Sequence, residues 1–264
     1  MKNNVLLSMI GLMVILLSCK KETASNHAED ATKEHQAHWS YEGETGPEHW
    51  PEIEKNSDCD GQHQSPINII IKDVKTDTLL TALDIHYAAE TKIHDVVNNG
   101  HSIQYNFEKG DYILFHKDTF NLKQIHFHEA AEHTINGIRY PMEIHMVHHN
   151  ANNEFAVLGI MVQEGESSKP FDFLEQYLPV QQGETKAIDT SFDLNLNFPQ
   201  NKNYYYYKGS LTTPPCTEGV NWFVFAEPIT ISVEQVLKLQ QLMPINNYRN
   251  ERPLNGRIVS ASAL

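Results

Sequence analysis

Residues 124–133 read QIHFHEAAEH. Three histidines and two glutamates are packed among residues suited to a core. On a β-strand, successive side chains point to opposite faces. Gln124, His126 and His128 therefore share one face, and Ile125 and Phe127 take the other. A later run, EIHMV at 143–147, repeats the arrangement, with Glu143, His145 and Val147 on one face and Ile144 and Met146 opposite. If the two runs are neighbours in a sheet, His126, His128 and His145 converge on one point.

Three neutral imidazoles with a fourth position left over suit an open, catalytic zinc site rather than a closed structural one. Each ligating ring also needs a partner for its other nitrogen. Gln124 and Glu143 each lie two residues before a histidine, on its own face, and fit that task. The plain alternative is a strand whose polar residues face water. HFH alone is a weak signal, and the same-face carboxylate of EIH strengthens it. His133 and His148 read as structural histidines, satisfied within the fold.

Outward from this stretch, short runs of β character recur: SIQYNF (102–107), YILFH (112–116), LKQIHFH (122–128), EIHMVHH (143–149), FAVLGIMV (155–162), YYYYKGS (204–210) and NWFVFAEPI (221–229). Turn-forming NNG, EKGD, NG and NANN separate them. The tyrosine run reads as strand packing. Helical spacing is confined to SVEQVLKLQQLM (232–243) and the shorter FDFLEQYLP (171–179). No linker or repeat follows Trp39. The chain therefore reads as mainly β with short surface helices, one domain over about 39–264.

The first residues are of another kind. A short basic start, the apolar run 5–18 and then Cys19 have the anatomy of a secretory signal. LLSC (16–19) resembles a lipobox, which would make Cys19 the lipidated first residue of a bacterial lipoprotein after removal of 1–18. Residues 20–38 are polar and aperiodic and read as a flexible tether. The expected location is the bacterial cell envelope, with membrane contact through the lipid only. In such an oxidising compartment Cys59 and Cys216 are most simply one disulfide; two free thiols are the alternative. Among 264 residues the net charge is −14, which argues against a nucleic-acid partner.

Several stretches carry a family resemblance. QIHFHEAAEHTINGIRYPMEIHMVHHN (124–150) is similar to the metal core of the α-class carbonic anhydrases. WSYEGETGPEHW (39–50), QSPINI (64–69), NNGHSIQ (98–104) and GSLTTPPCTEGVNW (209–222) resemble further segments of that family, in the same order. The resemblance implies a single domain around a large, mostly antiparallel central β-sheet, and reversible zinc-dependent hydration of carbon dioxide to bicarbonate and a proton. It assigns His126, His128 and His145 to Zn2+, with Gln124 and Glu143 orienting them. Thr212 matches the threonine that orients the attacking hydroxide and donates its own proton to a buried glutamate, here Glu132. Thr213 would contact bicarbonate. Val147, Val157, Leu211, Val220 and Trp222 match the apolar wall for carbon dioxide. His101 matches the proton shuttle, with Tyr41, Asn99 and Gln104 ordering water beside it. The cysteine pair matches the disulfide of bacterial members. Sulfonamides and anions are the inhibitors this implies.

Three positions depart from family habit. Glu129 stands where vertebrate members have tryptophan, Gln104 replaces a common asparagine, and His149 replaces a tryptophan of some relatives. None is a ligand; Glu129 and Gln104 bear on stability or proton transfer. Two rival readings remain at this level. A cupin-type metalloenzyme would use His126, His128, Glu132 and His145, although its flanking glycines are missing. A catalytically silent metal-binding surface lipoprotein is the other, although silent relatives typically lose a zinc histidine and none is lost here.

Overall fold

The computed structural model describes residues 38–178, 180–244 and 246–261. The expected signal segment, Cys19 and all of the tether except His38 lie outside the described residues. A thirteen-stranded sheet dominates. Its main path runs Thr185–Phe192, Thr91–Asn98, Ile103–Phe107, Asp118–His128, Met142–His149, Phe155–Glu164, Glu218–Phe225, Tyr204–Ser210, Ser260–Ala261 and Lys75–Thr76. Neighbours are mostly antiparallel. Within this sheet, among the described residues, parallel pairings join Phe155–Glu164 to Glu218–Phe225 and to Ile229–Ile231, and Ser260–Ala261 to Lys75–Thr76.

The central strands are covered on both faces, which is why FAVLGIMV reads as an unbroken apolar run. Ile125, Phe127, Ile144, Met146, Leu158, Ile160, Phe223 and Phe225 project to one side and form the larger core. Val147, Val157, Met161, Trp222 and Val224 project to the other and pack with Ile67, Ile69, Tyr205 and Tyr207. The histidines of the opening stretch share this second side. A polar centre is thus sunk into an apolar layer.

Two long strands escape sequence reading for a common reason. In Thr185–Phe192 only Ile188 and Phe192 are buried, and the pairing register shifts between Ala187 and Thr190. Thr91–Asn98 also carries a register shift, between Ile93 and Asp95. A bulge adds a residue and breaks the period of two on which strand recognition depends. The helices are short, at Trp50–Ile53, Lys169–Glu175 and Val233–Gln240. The last begins with a reciprocal cap between Ser232 and Gln235. The FDFLEQYLP expectation is shifted: its helix starts at Lys169, because Pro170 suits a first turn, and ends at Glu175. No described helix is long and apolar enough to cross a membrane.

Cys59 and Cys216 form a disulfide across a separation of 157 residues. On a chain-entropy argument such a loop contributes roughly 5 kcal/mol. Both sulfurs are buried with Trp50, beside the loop that carries Thr212 and Thr213. His148 is buried as a structural residue: Tyr87 Oη lies 2.5 Å from its Nε2 and the Ala156 carbonyl 3.2 Å from its Nδ1. Burial lowers its pKa to about 4, so it stays neutral.

Candidate metal centre

Strand register builds the centre. His145 lies directly across from His126, and Glu143 across from His128. Ring centroids are 4.9 Å apart for His126 and His128, 5.2 Å for His126 and His145, and 4.5 Å for His128 and His145. One nitrogen from each ring lies within 4.8 Å of those of the other two. The three rings thus converge from one face of two neighbouring strands, as strand alternation predicts.

The other nitrogen of each ring is engaged. His126 Nδ1 donates to Gln124 Oε1 at 2.8 Å, His128 Nδ1 to the Asn247 carbonyl at 2.6 Å, and His145 Nε2 to Glu143 Oε1 at 2.9 Å. These bonds leave Nε2 of His126, Nε2 of His128 and Nδ1 of His145 to face one another as lone pairs. Buried His128 Nε2 has no hydrogen-bond partner, a costly state for a polar atom unless something else binds it. Burial holds the His126 pKa well below its ordinary value, lowers His128 to about 4 and lowers His145. Three neutral nitrogens with fixed tautomers are the donor set that zinc requires, so the residues fit the ion.

Asn247 was not legible beforehand. It lies 119 positions from His128, in no motif, yet its carbonyl orients that ring. Its side chain also donates to the carbonyls of His101 at 2.9 Å and Phe127 at 3.0 Å. Gly159 was missed too. It sits opposite His145, and a Cβ there would come within 2.8 Å of Glu143 Oε1.

Glu143 accepts four hydrogen bonds: from His145 Nε2, from His133 Nδ1 at 2.8 Å, and from the backbone N–H groups of Glu132 and His133 at 2.9 and 2.8 Å. Burial pushes its carboxyl up, but the two histidines outweigh this and hold it well below the usual range. His133, Glu143 and His145 also cluster closely. Their facing atoms are spent on one another, and His133 Nε2 continues to Tyr207 Oη at 2.6 Å, so this cluster is a support and not a second ion site. His133 is structural, as expected. Tyr207 does more than pack, because its hydroxyl carries the chain on to Ser65 Oγ at 2.8 Å.

Glu132 is fully buried between the rings and the loop. Its Oε2 lies 3.6 Å from His128 Nε2 and 3.9 Å from His145 Nδ1, and its Oε1 accepts the Arg249 N–H at 2.9 Å. Burial raises its pKa to about 7, against the lowering influence of His145, the Thr212 hydroxyl and the Arg249 N–H. Val147, Val157, Val220 and Trp222 form one buried cluster with Leu211 against it, and Trp222 stands 4.9 Å from the His145 ring. A cavity of about 120 Å³ is lined by Tyr41, Asn99, His101, Gln104, His126, His128 and Thr213, among others. Gln124 lines the same cavity, and the apolar cluster reaches the histidine centre through Trp222. Burial, then Glu132, pushes the Tyr41 phenol well above its ordinary value.

His101 is stacked on Trp39 at 3.7 Å, and its Nε2 lies 3.0 Å from His38 Nε2. Burial, then His38, lowers its pKa to about 4. In this position the ring is a weak base. Glu129 accepts a hydrogen bond from Gln240 Nε2, and its backbone N–H donates to Asn247 Oδ1 at 2.7 Å. Glu129 thus makes a polar tie to the Val233–Gln240 helix. His149 makes an edge contact with Phe155, a ring-to-ring role.

The family model for eukaryotic-type carbonic anhydrases matches residues 45–263. The Klebsiella pneumoniae carbonic anhydrase is 41% identical over 227 residues, 84% of this chain and 90% of that protein. The Neisseria gonorrhoeae carbonic anhydrase is 35% identical over 252 residues, 93% and 94% of the two chains. The Thermovibrio ammonificans α-carbonic anhydrase, solved with the inhibitor sulfanilamide, superposes with a TM-score of 0.81 at 39% identity, covering 85% of this chain and 99% of that one. Sequence, sheet and histidine geometry agree, and the cupin reading falls: this chain belongs to the α-carbonic anhydrases, lyases that hydrate carbon dioxide.

Proposed function

We propose that the chain hydrates carbon dioxide with Zn2+ held by His126 Nε2, His128 Nε2 and His145 Nδ1. The observation that carries this is the unpartnered, buried His128 Nε2 facing two other neutral imidazoles. Zinc supplies a hydroxide nucleophile near neutral pH by lowering the pKa of water from 15.7 to about 7. The protein's own residues do the rest. Thr212 Oγ1 donates a hydrogen bond to the Glu132 carboxylate, so toward the cavity it can only accept one. That selects a nucleophile bearing a proton and turns its lone pair toward carbon dioxide. Val147, Val157, Val220, Leu211 and Trp222 hold the apolar substrate dry, and Thr213 meets the bicarbonate product. The test is carbon dioxide hydration by zinc-loaded protein in stopped flow. The expected result is activity lost to a chelator and inhibited by a primary sulfonamide, as the sulfanilamide complex of the Thermovibrio enzyme motivates. Activity indifferent to both would sink the zinc reading, and zinc binding without any hydration would favour a silent relative.

His101 carries the released proton out. Stacked on Trp39 its pKa is about 4, too low for efficient exchange near neutrality. A more hydrated imidazole would titrate nearer about 6.5. His101→Ala should slow turnover about tenfold or more in weak buffer, with partial rescue by added imidazole. A rate that stays the same in weak buffer would remove His101 from the path.

The sequence of residues 1–38 supports a second element of the reading, export and lipid anchoring at Cys19. Cys19→Ala should abolish incorporation of labelled palmitate into the protein in growing cells; labelling that persists would exclude the anchor at Cys19.

A further inference from the structure

Gln104 stands opposite His126 in the sheet and lines the cavity between that ligand and His101. A glutamine amide can face either way by exchanging its oxygen and nitrogen. Here a run of hydrogen bonds decides the matter. Asp95 Oδ1 accepts from Asn106 Nδ2 at 2.6 Å, Asn106 Oδ1 accepts from Gln104 Nε2 at 2.7 Å, and Gln104 Oε1 accepts from Asn99 Nδ2 at 3.4 Å. Asn99 Oδ1 in turn accepts the backbone N–H groups of His101 and Ser102 at 2.9 and 2.8 Å.

Both ends allow one direction only. An ionised carboxylate can only accept, and a backbone N–H can only donate. Turning Gln104 around would set its amino group against that of Asn99 and its oxygen against that of Asn106, losing both bonds. Asp95 reaches the run because the register shift between Ile93 and Asp95 re-aims it onto the Asn106 side. It is buried, 9% exposed. Exposed His94 braces it from outside, donating from Nδ1 to Asp95 Oδ2 at 2.5 Å. Glutamine also has a reason to replace asparagine at 104. Its extra methylene spans the gap to Asn106, two residues along the same strand face.

We infer that Asp95 is a positioning residue for proton transfer. Acting through Asn106, it holds Gln104 with its carbonyl, not its amino group, toward the cavity. Water there meets an acceptor at Gln104 and a donor at Asn99, which fixes the sense of a hydrogen-bonded chain toward His101. The inference rests on reading this cavity as the proton path.

Three variants of the zinc-loaded full chain test it: Asp95→Asn, Asn106→Asp and the two combined. Two quantities are read, the solvent exchange of the Gln104 side-chain amide protons by NMR and the steady-state rates of hydration. Asp95→Asn should speed exchange at Gln104 Nε2 and lower kcat in weak buffer about three- to tenfold, the kinetic worth of one hydrogen bond, with kcat/KM within about twofold. The combined variant restores both, because the carboxylate at position 106 accepts directly from Gln104 Nε2. Unchanged exchange and unchanged weak-buffer kcat in Asp95→Asn overturn the inference. So does a parallel fall of kcat and kcat/KM that the combined variant does not repair, since that marks a merely structural role. Wild-type turnover indifferent to buffer and to His101→Ala would instead overturn the proton-path reading, and with it the role given to Asp95, while amide exchange would still report the direction of the run.

Discussion

His145→Ala should lose zinc and, with it, hydration activity by about a thousandfold or more, because without the ion the nucleophile reverts to water of pKa near 15.7. The variant is expected to fold. Glu143 keeps three of its four hydrogen bonds, from His133 Nδ1 and the backbone N–H groups of Glu132 and His133. The neighbouring Trp222 and Val147 remain packed in their cluster. Zinc per chain by elemental analysis, beside stopped-flow rates, checks the outcome. A folded variant with full metal and full activity would overturn the ligand set. Glu143→Gln is the milder companion. It leaves all three rings but weakens the grip on His145, so affinity for zinc should fall about 10- to 100-fold.

Thr212→Val should retain zinc and lose about a hundredfold in kcat/KM, in the range found when one oriented hydrogen-bonding group is removed from a reaction centre. Valine matches threonine in shape, and Thr212 is nearly buried, so packing changes little. What disappears is the hydroxyl between the nucleophile and Glu132. The carboxyl keeps the Arg249 N–H at 2.9 Å and stays in place. Separating metal content from rate is the point of the measurement. Loss of zinc would mean that the hydroxyl supports the metal centre, and an undiminished kcat/KM would remove Thr212 from the mechanism.

The two variants probe parts of the site that differ in legibility. The candidate ligands could be read from QIHFH and EIH because a strand alternates faces, and a histidine on a core strand violates the apolar pattern around it. Gln124 and Glu143 were readable by the same periodicity. Asn247 and Arg249 were not, since they reach His128 and Glu132 from more than a hundred positions away. Nothing in their local sequence distinguishes an Asn whose carbonyl orients a ring. Gly159 reads as an ordinary glycine inside FAVLGIMV until register sets it against Glu143. Asp95 is hidden by the bulge that delivers it, because the same extra residue spoils the alternation from which its strand would be recognised.

The loop at 209–222 shows the same division. Its composition announces a stiff turn, but its position comes from distant partners. Gln64 Nε2 donates to the Cys216 carbonyl at 3.2 Å, Trp222 Nε1 to the Ser210 carbonyl at 2.9 Å, and the disulfide ties Cys216 to Cys59. His101 also reads differently in three dimensions. The family resemblance implies a shuttle matched to neutral pH, whereas the fold stacks the ring on Trp39 beside His38 and depresses its pKa. Burial belongs to the assembled surface, and no local pattern encodes it.

By itself the amino-acid sequence determined the chemistry on offer: three imidazoles on two strand faces, a same-face carboxylate, a polar and apolar division along each strand, and a cysteine pair. These are short-range properties, set by backbone periodicity and side-chain type. Only the tertiary structure decided which atoms meet. Strand register sets His145 against His126, the distant Asn247 carbonyl chooses the free nitrogen of His128, and desolvation keeps the rings neutral. Pairing and burial depend on residues far apart in the chain, so they exist only once the sheet has closed around them.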